Sequence, residues 1–137
     1  MSIEIIRHRV VFPNHQDNLK IEVSDLPGPG GANHHYSILG FDTKNNPSSL
    51  AVDGYKSSFS RTPIIFQNGT VLEAGENGVT IEALLAICEH RLQAFQAGPF
   101  SSVYNAEALE GITKALNSLK RRTEDRLVRQ VEGRHLA

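Results

Sequence analysis

Hydrophobic and polar positions change their period once along the chain. Up to about residue 75, short apolar runs rich in β-branched side chains are separated by turn residues, the pattern of strands. IEIIRHRVVF (3–12) and LKIEV (19–23) are such runs, punctuated by Pro13 and Asn14, and HHYSILGF (34–41) is a third. Between the last two lies DLPGPGGANHH (25–35), so residues 19–41 read as a hairpin with a long connection. TPIIFQNGTVLEAG (62–75) carries Asn68-Gly69 between apolar residues 64–66 and 71–72. That dipeptide favours a tight turn with positive φ at both positions, and a second hairpin is expected there. Residues 42–60 are polar and without period, and are expected to form a mobile loop.

From residue 79 the period becomes helical. Thr80 is placed to cap a first helix, with Glu82 in its first turn. Ile81, Leu84, Leu85, Cys88, Leu92 and Phe95 repeat at three and four, and Gly98-Pro99 ends the run. A second helix opens near Ser102 and continues to about Gln130, with Leu109, Ile112, Leu116, Leu119 and Thr123 on its stripe. The prediction is an α+β fold: an N-terminal antiparallel β-sheet followed by a C-terminal antiparallel helical hairpin. One domain, 1–137, is expected, with a β part over 1–75 and the hairpin over 76–133.

At 1.5 Å per residue the two helices span roughly 25 Å and roughly 40 Å. The overhang of the longer helix would leave Leu127 and Val131 facing water. A second copy of the chain, intertwined as an oligomer, is therefore expected.

Composition narrows the class. With 39% hydrophobic and 21% charged residues, and no apolar run near the length of a membrane span, a soluble protein is expected. The opening MSIEIIRHRVVF has no apolar block or cleavage site of a signal peptide, so a cytoplasmic protein is expected. A lone cysteine, Cys88, excludes an internal disulfide framework. The net charge of −1 argues against broad nucleic-acid binding, and no DNA partner is expected.

Charge is nevertheless concentrated. Arg121, Arg122, Arg126 and Arg129 crowd the overhanging end, and Arg122, Arg126 and Arg129 border its apolar stripe. Guanidinium groups at such an edge suit bidentate phosphate contact, while Glu124, Asp125 and Glu132 nearby suit a merely solvated face. Asn105 falls over the stripe beside Leu109 and Ile112, as a helix-capping amide or as a reader of a base or ribose. Phe95 closes the first helix, as core or as a stacking platform for a base. A hairpin brings Phe95 beside Asn105 and leaves the arginines a helix length away, so two antiparallel chains would be needed to unite them.

The glycine loop is neither a Walker A nor a Rossmann motif, since prolines interrupt it and a strand follows. It reads as a plain connection or as an anion-contacting loop. His34 and His35 alternate faces in a strand, so no metal site is expected. No histidine pairs with Ser or Cys in a catalytic spacing, and no catalytic residue or cofactor is expected. A cyclic-nucleotide hydrolase and a small DNA-binding regulator are the rival readings.

PGPGGANHHY (27–36), FQNG (66–69), ENGVTIEALLAI (76–87), RLQAFQAGPF (91–100), NAEAL (105–109) and RRTEDRLVRQVEG (121–133) resemble the phage-encoded Thoeris anti-defence sponge proteins. The helical hairpin alone is also similar to phage anti-CBASS sponges. The resemblance implies a non-enzymatic protein in the cytoplasm of the infected bacterial host that holds glyco-cyclic ADP-ribose. It also implies assembly as a dimer or a trimer of dimers (a hexamer). The family's signal-binding pattern carries over to Phe95, Asn105, Arg122 and Arg126, with Arg129 adjoining. A separate site for CBASS cyclic di- or trinucleotides is assigned to the loop Gly30, Gly31, Ala32, Asn33 and His34. The chain departs from the family at Val103-Tyr104, where an Arg-Glu pair is common, and at Gln130, where a glycine is common.

Overall fold

The computed structural model describes residues 3–15, 17–50 and 58–136, and the side chains of these apart from Leu50 and residues 130–136. Residues 51–57 of the expected 42–60 loop, and the Val131 side chain, lie outside the described residues. The chain forms two compact units, Met1–Val79 and Thr80–Ala137. The first is an antiparallel sheet and the second is helical, which makes the fold α+β.

In the sheet unit, β1 (Ile3–Ile5), β2 (Lys20–Val23), β3 (His35–Leu39) and β4 (Arg61–Ile65) lie side by side in chain order. All three pairings are antiparallel, with Ile5 opposite Ile21, Val23 opposite Tyr36 and Tyr36 opposite Ile64. Residues directly opposite share a face, so Ile3, Ile5, Ile21, Val23, Tyr36, Ile38 and Ile64 line one side while Glu4, Glu22 and Ser37 line the other. Val23 is the buried apolar residue at the centre of that side, at 6% exposure. The Tyr36 ring meets Phe66 edge-on, with centroids 5.6 Å apart. Gly40, at φ 89°, follows β3 where a Cβ would lie 1.8 Å from the Asn18 carbonyl oxygen, so only glycine fits.

Two sequence expectations are corrected in this unit. The strand expected over 3–12 stops at Ile5, the last residue that pairs with β2. The chain then turns, with the Arg9 N–H donating to the Ile6 carbonyl at 3.0 Å, and Val10, Val11 and Phe12 are exposed.

The Asn68-Gly69 hairpin does not form either. Gly69 has φ 85° but Asn68 does not have positive φ, so the turn lacks the geometry that returns a strand. Thr70 instead caps a one-turn helix, α1 (Val71–Ala74), accepting from the Glu73 N–H at 3.3 Å. Side chains then knit the loop in place of a ladder. Gln67 donates to the Gly75 carbonyl at 2.7 Å and accepts from the Asn77 N–H at 3.0 Å, while Asn77 brackets the Asn68 backbone. Val79 then pairs in parallel with Phe66, which keeps 76–79 with the sheet and moves the boundary past the expected 75/76. Gly78 is required for that approach, since a Cβ there would meet the Phe66 and Gln67 backbone at 2.5–2.6 Å.

The helical unit follows the sequence closely. Thr80 caps α2 (Ile81–Ala97), its hydroxyl accepting from the Ala83 N–H at 3.1 Å, and the Gly98 N–H closes the last turn onto the Phe95 carbonyl. After a short connector comes α3 (Val103–Leu136), longer than expected. Thr123 donates to Glu82 and Thr113 to Glu89, a crossing order that makes the two helices antiparallel. Their seam is half-buried at Leu84, Leu85, Leu92, Leu109, Ile112, Leu116 and Leu119, and no described residue of the hairpin is fully buried. Cys88, expected on the stripe, is exposed. Among the described residues, no helix is long and apolar enough to cross a membrane.

Candidate functional site

At the connector end of the hairpin, hydrogen bonds to the backbone fix three side chains, Gln96, Ser102 and Asn105. The Ser102 hydroxyl accepts from the Asn105 N–H at 3.0 Å, satisfying an orphan donor of the first turn of α3. The Ser102 N–H in turn donates to Gln96 Oε1 at 2.9 Å, which ties the last turn of α2 to the start of α3. Asn105 is thus not the cap. Its Nδ2 donates to the Phe100 carbonyl at 3.1 Å. A carbonyl only accepts, so this bond fixes the amide orientation and leaves Oδ1 as an acceptor.

Phe100 also stands edge-to-face with Phe95, centroids 6.3 Å apart at 88°. Arg91, one turn earlier on α2, lies over the Phe95 ring with its guanidinium carbon 4.9 Å from the centroid. Cation–π contacts at exposed positions are worth about 0.5–1 kcal/mol. The structure therefore brings Phe95 and Asn105 together, through Phe100.

Arg122 and Arg126 lie elsewhere. Seventeen residues of α3 separate Asn105 from Arg122, about 26 Å of helix. Arg122 stands 3.8 Å from the Glu82 carboxylate in the first turn of α2, with Thr123 donating to the same carboxylate at 3.3 Å. Arg126, one turn on, is exposed. Arg129 pairs with Asp125 at 2.9 Å in an exposed i,i+4 bridge of small energetic weight. One chain holds the aromatic–amide cluster at one end of its hairpin and the guanidinium groups at the other.

The glycine loop is more self-contained than its sequence implies. Pro29–Gly31 form a 3₁₀ turn, with Gly30 and Gly31 at φ 77° and 78°. The Gly31 N–H donates to the Gly28 carbonyl and the Gly28 N–H to the Ala32 carbonyl. Asp25 accepts from the N–H groups of His34 at 2.9 Å and His35 at 3.1 Å, and Asn33 Nδ2 donates to the Asp25 carbonyl at 2.8 Å. Burial alone would raise the Asp25 carboxyl, but these backbone donors outweigh it and hold the group below its ordinary value. The His34 and His35 donors thus already hold an anion, the chain's own. His34 is buried, and Gly28 packs so near its ring that a Cβ would lie 3.3 Å away. No group of three metal-ligating side chains occurs among the described residues.

Sequence reasoning missed Asp25, Arg91, Glu82 and Gln96. Arg91 alone had a signal, its i,i+4 spacing to Phe95. The others are linked by bonds that no period predicts.

No family model matches the chain. A curated relative, Thoeris anti-defense 1 of Bacillus phage SBSphiJ7, is 32% identical over 140 aligned residues, spanning 94% of this chain and 91% of the relative. The chain belongs to the Thoeris anti-defence family. At 94% coverage of this chain, the likeness takes in most of both structural units.

Proposed function

We propose that this chain is a non-enzymatic sponge, acting in the cytoplasm of an infected host. It would bind a cyclic ADP-ribose-type immune signal, glyco-cyclic ADP-ribose, and hold it unaltered, so that antiphage defence stays off. Family membership supports the anti-defence role. The observation that carries the mechanism is the separation of the two half-sites by about 26 Å in a hairpin whose seam is only half-buried.

In this reading two copies pack hairpin to hairpin, head to tail. Each then offers Phe95 and Asn105 to the Arg122 and Arg126 of the other. Phe95 stacks on the adenine, the Asn105 oxygen accepts from a ribose hydroxyl or base N–H, and the guanidinium pair holds the pyrophosphate. The exposed Leu127 and Val128 are covered by the same pairing. The assembly would be this dimer or a trimer of such dimers, a hexamer. A messenger at low concentration requires Kd near nanomolar, about −12 kcal/mol, which a closed and pre-organised pocket supplies. Any contact of the Gly30–His34 loop with a cyclic di- or trinucleotide would fall to the backbone N–H groups of the exposed Gly30 and Ala32, since those of Gly31, His34 and His35 are engaged.

Co-expression of Phe95→Ala and Arg122→Ala chains tests the trans arrangement. Each variant alone is expected to lose tight capture, weakened by about 2–5 kcal/mol. A two-fold dimer of one of each regains one intact site in two, so the mixture recovers about a quarter of wild-type capacity by calorimetry. No recovery in verified mixed dimers would sink the trans site. Recovery of altered nucleotide after incubation would refute the sponge.

A further inference from the structure

Arg91 is a charged residue at the aromatic end whose chemistry the proposed site does not use. It sits four residues before Phe95, the spacing that superposes side chains on one helix face. Its guanidinium carbon lies 4.9 Å from the ring centroid, so the charge covers one face of the ring and a base would stack on the other. Its neighbours on α2 do not neutralise it: Ile87 and Cys88 precede it by a turn, and Ala94 follows at i+3. The nearest acid in sequence, Glu89, accepts from the Thr113 hydroxyl on α3 at 2.9 Å. Among the described residues no carboxylate lies within 4.0 Å of the Arg91 side chain, whereas Arg122 and Arg129 each have one. Arg91 is thus an exposed cation held against a ring with its N–H donors turned to no acid.

Resting on the reading of Phe95 as a stacking surface, we infer that Arg91 is a third cationic contact of the messenger site. It binds a phosphate oxygen of a nucleotide whose base lies against Phe95. A base and its 5′-phosphate are joined through one ribose, so a ligand stacked at Phe95 carries its anionic group within reach of a side chain on the same ring. The site then grips the diphosphate from both chains, Arg91 beside the base and Arg122 with Arg126 across from it. The inference assigns a ligand class as well: nucleotides with phosphate next to the stacked base are taken, and neutral nucleosides are not.

Calorimetry on the full chain with glyco-cyclic ADP-ribose as probe decides this, at about 50 and about 300 mM salt, where screening separates an ion pair from packing. Arg91→Ala is expected to lose about 10- to 100-fold in affinity and to show a weaker salt dependence than wild type. Arg91→Lys keeps the charge, and is expected to retain the wild-type salt dependence and recover part of the loss. Wild-type binding with Arg91→Ala within about two-fold and the salt dependence unchanged would overturn the inference alone. The same holds if Lys and Ala weaken binding equally at both salts, which marks Arg91 as packing on Phe95 only. Failure of the wild type to bind the probe would overturn the parent reading, and this one with it.

Discussion

The two units of this chain treat hydrogen-bond donors in opposite ways. In the sheet unit, the glycine loop has the composition of a phosphate cradle, yet the N–H groups at its end are capped by the chain's own Asp25. In the helical unit the ordinary-looking connector leaves the Asn105 amide oxygen without a partner in the bond that holds its nitrogen, and Arg91 exposed over the Phe95 ring. Glycine content thus says less about ligand binding than the destination of each donor does.

That contrast can be broken from either side. The largest effect belongs to the sheet: Gly40→Ala puts a Cβ 1.8 Å from the Asn18 carbonyl oxygen at a positive φ, and is expected to cost more than about 3 kcal/mol. Loss of folded protein in a thermal melt checks it, and the surviving folded fraction should bind signal normally. Next comes Arg122→Ala, expected to weaken capture by about 2–5 kcal/mol in calorimetry. Its melting temperature should stay near wild type, since the side chain is 52% exposed and its ion pair with Glu82 is long. Thr80→Ala removes the cap of α2 and is expected to cost about 1 kcal/mol of stability, read from denaturant midpoints.

The smallest effect sharpens the comparison by pH. Asp25 has a carboxyl pKa lowered in the folded chain, so its contribution is fully present above the ordinary value of 3.8 and is lost as pH falls through the lower folded value. Asp25→Asn should therefore lower the melting temperature at neutral pH, with the gap to wild type closing below about pH 4. A gap that is constant with pH would mean that the Asp25 charge does not hold the loop.

Much of the fold was legible because it rests on local rules. The caps at Thr80 and Gly98, the strands at 20–23 and 35–39 and the change of period at 79 all follow from side chains acting on their own backbone. The placement of Phe95 beside Asn105, with Arg122 and Arg126 a helix length away, was legible for the same reason, since a hairpin's geometry follows from its connector. The fate of Asn68-Gly69 was not, because Gln67 and Asn77, ten residues apart, jointly outbid a turn propensity. The early end of β1 was not, because a strand's length depends on its partner's.

The sequence alone determined the helical caps, the spacing of the ring, amide and arginines, and the distance that keeps them apart in one chain, since these are functions of helical rise and period. Only the tertiary structure decided which donors remain available. It gave the loop's N–H groups to Asp25, the Asn105 nitrogen to Phe100 and the Glu82 carboxylate to Thr123 and Arg122. Hydrogen bonds between residues distant in sequence are set by where the folded chain brings them, and no periodicity encodes that.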